Sequence, residues 1–189
     1  ERGIPVVYAP LLSESVTEGT FAMILVLTKQ LFYWHDSLLG GHWDRRISER
    51  TDELYARTIG IVGLGRIGRA VASRARAFDM RIVAHDPYVD AAQAAALEVE
   101  LLGLDELLEN ADIITLHAMA TPETEGLINR GNLARIKRGA YLINFGRGTL
   151  IEDLDMLHEA LEAGHLSGVG LDVFPQEPPT DLDHPLLAH

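Results

Sequence analysis

The chain of 189 residues contains no cysteine. That removes disulfides, thiolate zinc or redox motifs and any thiol nucleophile, and it makes a reducing cytosol the expected compartment. Lysine is nearly missing as well, with only Lys29 and Lys137, and 16 basic residues face 28 acidic ones for a formal charge of −12. Binding to nucleic acid rests on phosphate neutralisation by clustered Lys and Arg, so no nucleic-acid partner is expected. Long apolar runs are absent too. The longest, Phe21 to Leu27, has seven residues, far short of the roughly 20 that a membrane helix needs. The opening Glu-Arg-Gly-Ile-Pro lacks the basic and apolar regions of a secretory signal. A cytoplasmic protein with no membrane partner and no metal is the expectation.

What remains is ordinary globular composition, 47% hydrophobic and 23% charged, which excludes disordered and collagen-like chains. Five apolar, β-rich runs recur: Thr58 to Gly63, Met80 to His85, Asp112 to His117, Ala140 to Asn144 and Ser167 to Val173. Their starts lie 22, 32, 28 and 27 residues apart, the spacing of βαβ crossovers rather than hairpins. Val99 to Leu102 is a shorter candidate strand. Helical patterns fill the gaps at 66–78, 90–97, 104–110, 133–137 and 151–163. Near-continuous apolar strands separated by helices predict an α/β fold, a Rossmann-like doubly wound parallel sheet with helices on both faces.

The N-terminal part differs. Residues 4–10 read as one strand with no βα partner before it, and Ser15-Val-Thr-Glu18 reads as a capping box opening a long helix to about Trp34. Residues 35–57 show no clear period, yet Phe32, Tyr33, Trp34, Trp43 and Tyr55 lie in or beside them. Those aromatics either cover the edge of the core or form a subunit interface.

Gly63-Leu-Gly65-Arg-Ile-Gly68 follows an apolar strand, opens a helix and precedes Asp86 by 18 residues at the end of the next strand. A bare glycine triplet is weak, but this context is that of a dinucleotide site. Gly63 would allow the tight turn, Gly65 the approach of a pyrophosphate and Gly68 close helix packing. The amides of Arg66 and Ile67 would meet phosphates at the positive helix end. Asp86 would accept bonds from ribose hydroxyls and repel a 2′-phosphate, favouring NAD over NADP; the alternative is a solvated strand-end carboxylate. Ile143-Asn-Phe-Gly-Arg-Gly148 and Gly170-Leu-Asp-Val-Phe-Pro-Gln-Glu-Pro-Pro179 follow the last two strands. The planar fork of Arg147 suits a carboxylate, with a surface salt bridge as the alternative, and Glu177 is otherwise a solvated carboxylate in a Pro-rich loop.

These stretches, with Asp112-Ile-Ile-Thr-Leu-His117 and Thr121-Pro-Glu-Thr124, resemble the D-2-hydroxyacid dehydrogenases, a family that includes phosphoglycerate, glycerate (hydroxypyruvate) and D-lactate dehydrogenases. The resemblance spans nearly the whole chain and corresponds to the family's NAD-binding domain. It implies hydride transfer between NAD(H) and a small 2-keto or D-2-hydroxy acid, with a homodimer as the assembly. It implies that Arg147 holds the substrate carboxylate and polarises the keto oxygen, and that Glu177 raises the pKa of a catalytic histidine. It further implies that Asp172 binds the nicotinamide carboxamide, and that the backbone around His117, Ala118 and Phe145 lines the cofactor. His117 alone equally fits a satisfied strand-end histidine.

Two positions depart from the family pattern: Gly19 stands where histidine is frequent, and Met119 where proline is common. The family's catalytic histidine lies in a Pro-His segment beyond Glu177 that the 189 residues do not include; His184 and His189 are no substitutes. Residues 1–12 are then expected to be a remnant of the substrate domain and 13–189 the NAD-binding domain, with a linker helix and a dimerisation arm at about 35–57. The piece by itself is expected to be inactive. A non-catalytic, NAD-sensing corepressor-like module is the alternative from a different class.

Overall fold

The computed structural model describes residues 12–43 and 51–188; the strand expected at 4–10 and part of the expected arm lie outside them. Six strands form a single parallel sheet: β1 (Thr58–Val62), β2 (Arg81–His85), β3 (Glu100–Leu101), β4 (Ile113–Leu116), β5 (Ala140–Asn144) and β6 (Leu166–Leu171), in the order β3-β2-β1-β4-β5-β6. The register pairs Val62 with both His85 and Leu116, Leu116 with Asn144, and Asn144 with Leu171. All carboxyl ends therefore reach one rim, where open α/β sheets present their ligands.

Helices α3 (Arg66–Arg76), α4 (Ala91–Ala95), α5 (Leu104–Asn110), α6 (Arg130–Leu133) and α7 (Asp155–Glu162) cross between successive strands. All five residues of β1 and all five of β5 are buried, because both sheet faces are covered. Ile59, Ile61 and Ile143 face α3 and the N-terminal helix α1 (Leu12–Thr28). Val62, Ile114 and Leu142 face α5 and α7. The doubly wound architecture expected from the strand spacing is the one observed.

Several boundaries differ from the sequence reading. Ser15 and Glu18 lie inside α1, not at its start. The helix register is set by its buried face of Thr17, Thr20, Phe21, Ile24 and Thr28. The threonine hydroxyls donate to carbonyls four residues back, at Ser13, Val16 and Ile24, so these residues sit quietly in a helix interior. The helix does not run on to Trp34: Gln30 adopts a left-handed φ of 50° and α2 (Leu31–Leu39) starts anew. The helix expected at 133–137 lies instead at Arg130–Leu133, where Asn129 and Asn132 form a reciprocal capping box at its start, and residues 134–137 are turn and coil. The one expected at 151–163 begins at Asp155, after a 3₁₀ turn at Gly148–Leu150.

Of the five aromatics near the arm, Phe32, Tyr33, Trp43 and Tyr55 are exposed and Trp34 is partly covered. They do not cover the edge of this core.

The rim opposite the carboxyl ends is tied by polar contacts. Asp112 accepts from the Thr58 amide at 2.9 Å and from Lys137 Nζ at 2.8 Å, and lies 3.4 Å from Arg57 Nη1. Arg57 pairs with Asp52, which also accepts from the Tyr141 hydroxyl at 2.7 Å. Burial raises the pKa of Asp112, but the hydrogen bonds from Lys137 and Thr58 and the charges of Lys137 and Arg57 outweigh it and hold the carboxyl below its ordinary value.

Candidate functional site

The site is built on the carboxyl-end rim. After β1 the chain turns at Gly63, whose φ of +93° belongs to the left-handed side, and a side chain there would sit 2.7 Å from the Ala118 amide nitrogen. Both facts demand glycine. At Gly68 a side chain would lie 2.1 Å from the Gly63 carbonyl oxygen, so the first turn of α3 is pressed directly onto the glycine turn. Gly65 is the opposite case: the space over its α carbon is open, and it caps α3 without a side chain. The amides that open α3, Arg66 and Ile67 among them, thus stand at a helix N-terminus with no acidic residue in its first turn. That is a positive cradle for a phosphate. The same rim holds Arg69, whose Nε donates to the Leu64 carbonyl at 2.9 Å.

Asp86 follows β2 and faces this turn. Its Oδ2 accepts from the Leu64 amide at 2.8 Å and its Oδ1 from the Tyr88 amide at 2.9 Å. It is therefore no freely solvated carboxylate: two backbone donors fix its plane, and it braces the glycine turn from across β1 and β2.

At the end of β4, His117 donates its backbone N–H to Val62 at 2.7 Å, and its Nε2 lies 2.9 Å from the Thr115 hydroxyl. Nδ1 is buried without a hydrogen-bond partner. Loss of water around the ring lowers its pKa to about 4, so the imidazole is neutral at pH 7. Ala118 abuts Gly63.

The loop after β5 is held from several sides. Asn144 is fully buried; its side-chain amide donates to the Arg147 carbonyl at 2.9 Å, and its oxygen accepts from the Gly146 amide at 3.0 Å. Phe145 is buried and donates its amide to Leu116 at 3.2 Å. A side chain at Gly148 would fall 1.9 Å from the Phe174 carbonyl carbon, so the Arg147 loop touches the backbone of the loop after β6. There the Phe174 amide donates to Glu177 Oε1 at 3.0 Å. Arg147 and Glu177, 30 positions apart in sequence, come from segments in direct contact. Arg147 is exposed, with Nη1 on the Gly146 carbonyl at 2.7 Å. Asp172 is exposed at the end of β6, its amide on the Asn144 carbonyl at 3.1 Å.

The rim thus brings together every residue singled out from the sequence: the glycine turn, Asp86, His117, Ala118, Phe145, Arg147, Asp172 and Glu177. Asn144 is the residue that sequence reasoning left without a role. Its signal was a polar residue ending an apolar strand just before Gly-Arg-Gly, and its task is to fix the Arg147 backbone.

Comparison with known proteins agrees with this geometry. Residues 21–189 match the family model of the D-isomer specific 2-hydroxyacid dehydrogenase NAD-binding domain. The chain is 44% identical over 191 aligned positions to D-3-phosphoglycerate dehydrogenase of Bacillus subtilis, covering 99% of this chain and 36% of that protein. It is 43% identical to the enzyme of the same name from Methanocaldococcus jannaschii, covering 100% and 36%. The chain therefore spans about a third of the length of these curated relatives. Among solved structures, D-lactate dehydrogenase from Aquifex aeolicus in complex with NAD and lactic acid superposes with a TM-score of 0.84 at 38% identity, over 93% of this chain and 53% of that one. The TT0316 protein of Thermus thermophilus gives 0.85 at 40%, over 99% and 58%. With its glycine turn, helix N-terminus and acidic strand end in the arrangement that a dinucleotide requires, the chain belongs to the D-isomer specific 2-hydroxyacid dehydrogenase family, as its NAD-binding domain.

Proposed function

We propose that these residues are the cofactor-holding part of an oxidoreductase that interconverts a 2-keto acid and a D-2-hydroxy acid. The observation that carries this reading is the shared rim. The open Gly65 cradle and Asp86 stand at one end, and the Arg147 loop, locked by Asn144 and seated on the Glu177 loop, at the other.

In this reading the α3 amides of Arg66 and Ile67 hold the pyrophosphate of NAD and Asp86 the adenosine ribose. His117, Ala118, Phe145 and Asp172 border its nicotinamide end. Bound NAD supplies the hydride-carrying centre. Arg147 binds the substrate carboxylate through its planar fork and draws charge from the keto oxygen. Glu177 raises the proton affinity of a histidine contributed from outside the 189 residues. The 44% identity to proteins named D-3-phosphoglycerate dehydrogenase makes phosphohydroxypyruvate the first acid to try. The non-catalytic sensor has no support among these relatives. Residues 1–12 belong in this reading to a substrate domain, 13–189 to the NAD-binding domain, and the cytoplasm is the compartment.

Two measurements test the reading. NADH titrated into the 189-residue chain should bind with enhanced fluorescence, and a chain that leaves NADH fluorescence unchanged sinks it. Steady-state reduction of phosphohydroxypyruvate, hydroxypyruvate, glyoxylate and pyruvate should be slower with these 189 residues than with a protein carrying the histidine segment, by about 10²- to 10⁴-fold, the usual worth of general acid catalysis. Equal rates would exclude a histidine from outside.

A further inference from the structure

Gly19 sits in the middle of α1, where glycine is a poor choice: it loses more backbone freedom on folding than alanine does and is disfavoured in helix interiors. Its φ is not in the left-handed region, so no turn requires it. What requires it is space. A side chain at position 19 would meet the ring of Phe145, with Cε1 at 3.0 Å and Cζ at 3.4 Å. Phe145 is 9% exposed and belongs to the apolar cluster between α1 and the sheet. Its backbone is the first residue of the rim loop that carries Asn144 at one end and Arg147 at the other.

The other anchors of that loop come from the rim itself. The Asn144 side chain ties the Gly146 amide and the Arg147 carbonyl, and Gly148 lies against Phe174. The Phe145 ring instead packs into the cluster between α1 and the sheet, against position 19, so the seat of α1 bears on the height of the loop above the end of β5. Interiors are close-packed and side chains cannot be added without moving something.

We propose that Gly19 is a positioning residue for the cofactor loop: the missing side chain on α1 forms the slot that receives the Phe145 ring and so holds residues 144–148 at the height that the nicotinamide end of NAD requires. The inference rests on the reading that this loop borders the nicotinamide. It predicts that filling the slot displaces one end of the cofactor site and leaves the other intact. The adenosine end is made by Gly63, Gly65 and Asp86: a side chain at Gly63 would meet Ala118, the space over Gly65 is open, and Asp86 bonds the Leu64 and Tyr88 amides.

The test compares NADH with ADP-ribose, which lacks the nicotinamide, on the 189-residue chain and its variants. Gly19→Leu should raise the Kd for NADH about tenfold, as expected for an overpacked contact, and leave the Kd for ADP-ribose within about twofold. Gly19→Ala places one atom against the ring and should weaken NADH by a smaller factor. In Gly19→Leu/Phe145→Ala the ring is gone, and NADH affinity should return to that of Phe145→Ala alone. Unchanged NADH binding in Gly19→Leu overturns the proposal. Parallel losses for NADH and ADP-ribose also overturn it, because they mean general damage to the fold, and so does a double variant in which the two losses simply add. Equal affinity of the parent chain for NADH and ADP-ribose, with Gly19→Leu weakening neither, would instead remove the reading that the loop borders the nicotinamide, and this proposal with it.

Discussion

In the proposed function Asp86 serves both ligand and scaffold. Its carboxylate accepts from the Leu64 and Tyr88 amides, so neutralising it loosens the glycine turn while removing the proposed ribose partner. Hydrogen bonds to a charged group contribute about 1.5–3 kcal/mol each, so Asp86→Ala should weaken NADH by at least about tenfold and narrow the preference over NADPH. Parallel titrations of the two cofactors check this, and a variant that still excludes NADPH as strongly as the parent contradicts the assignment. The glycine turn and Asp86 were legible in the sequence because backbone sterics leave few alternatives to Gly-x-Gly-x-x-Gly between a strand and a helix. The brace from Asp86 to Leu64 was not, since a hydrogen bond between residues 22 apart leaves no local pattern. His117 provides a pH test. Its folded pKa of about 4 lies below the ordinary 6.5, so between these values the unfolded chain binds a proton that the folded one refuses. Stability from this group is complete above about pH 6.5 and is lost as the pH falls toward 4, by up to about 3 kcal/mol. His117→Gln should flatten denaturation midpoints measured across pH 4–7; an unchanged slope would mean that the ring is not shielded from water.

Among the elements, the strands were read well and the first helix poorly, for a physical reason. Strands covered on both faces are continuously apolar, and β1 and β5 are buried at every position, so they stand out without any partner being known. Helix starts depend on which of several polar residues the packing leaves free to cap. Ser15 and Glu18 have the right spacing, yet the buried face through Thr17 and Ile24 places them within α1. The break at Gln30 likewise has no glycine or proline to announce it. The sequence reading counted this helix within the NAD-binding domain, as its linker helix. In the structure it packs on the core, against β5, β6 and α3, with Ile24 fully buried. Ile24→Ala should therefore cost about 2–5 kcal/mol, the range for a buried Ile truncated to Ala, in urea titrations. A loss below 1 kcal/mol would return α1 to the status of a linker.

At the scale of the whole molecule, Phe32, Tyr33, Leu38 and Leu39 on α2 and Trp43 just beyond it are exposed, and so is Tyr55, apolar side chains of the kind that subunit interfaces cover. A two-fold interface would bury them. Light scattering at micromolar concentration should give twice the chain mass of 20.8 kDa, and Trp43→Ala should shift the value toward the monomer; a monomer in both samples excludes that interface. The two rims of the sheet lead to a different consequence. Asp112, Arg57 and Lys137 tie down one rim, while the ligand-facing turns occupy the other, about 15 Å away along the five residues of β1. Residues that far apart with no shared partner contribute additively. Asp112→Asn should lower the melting temperature, and more mildly as the pH falls below the ordinary carboxylate pKa of about 3.8, where the stability linked to its lowered pKa is progressively lost. The same change should leave cofactor affinity alone. Such separation lets mutation explore new ligands at one edge of the sheet while the opposite edge keeps the chain folded, which makes the architecture tolerant of inheritance by errors.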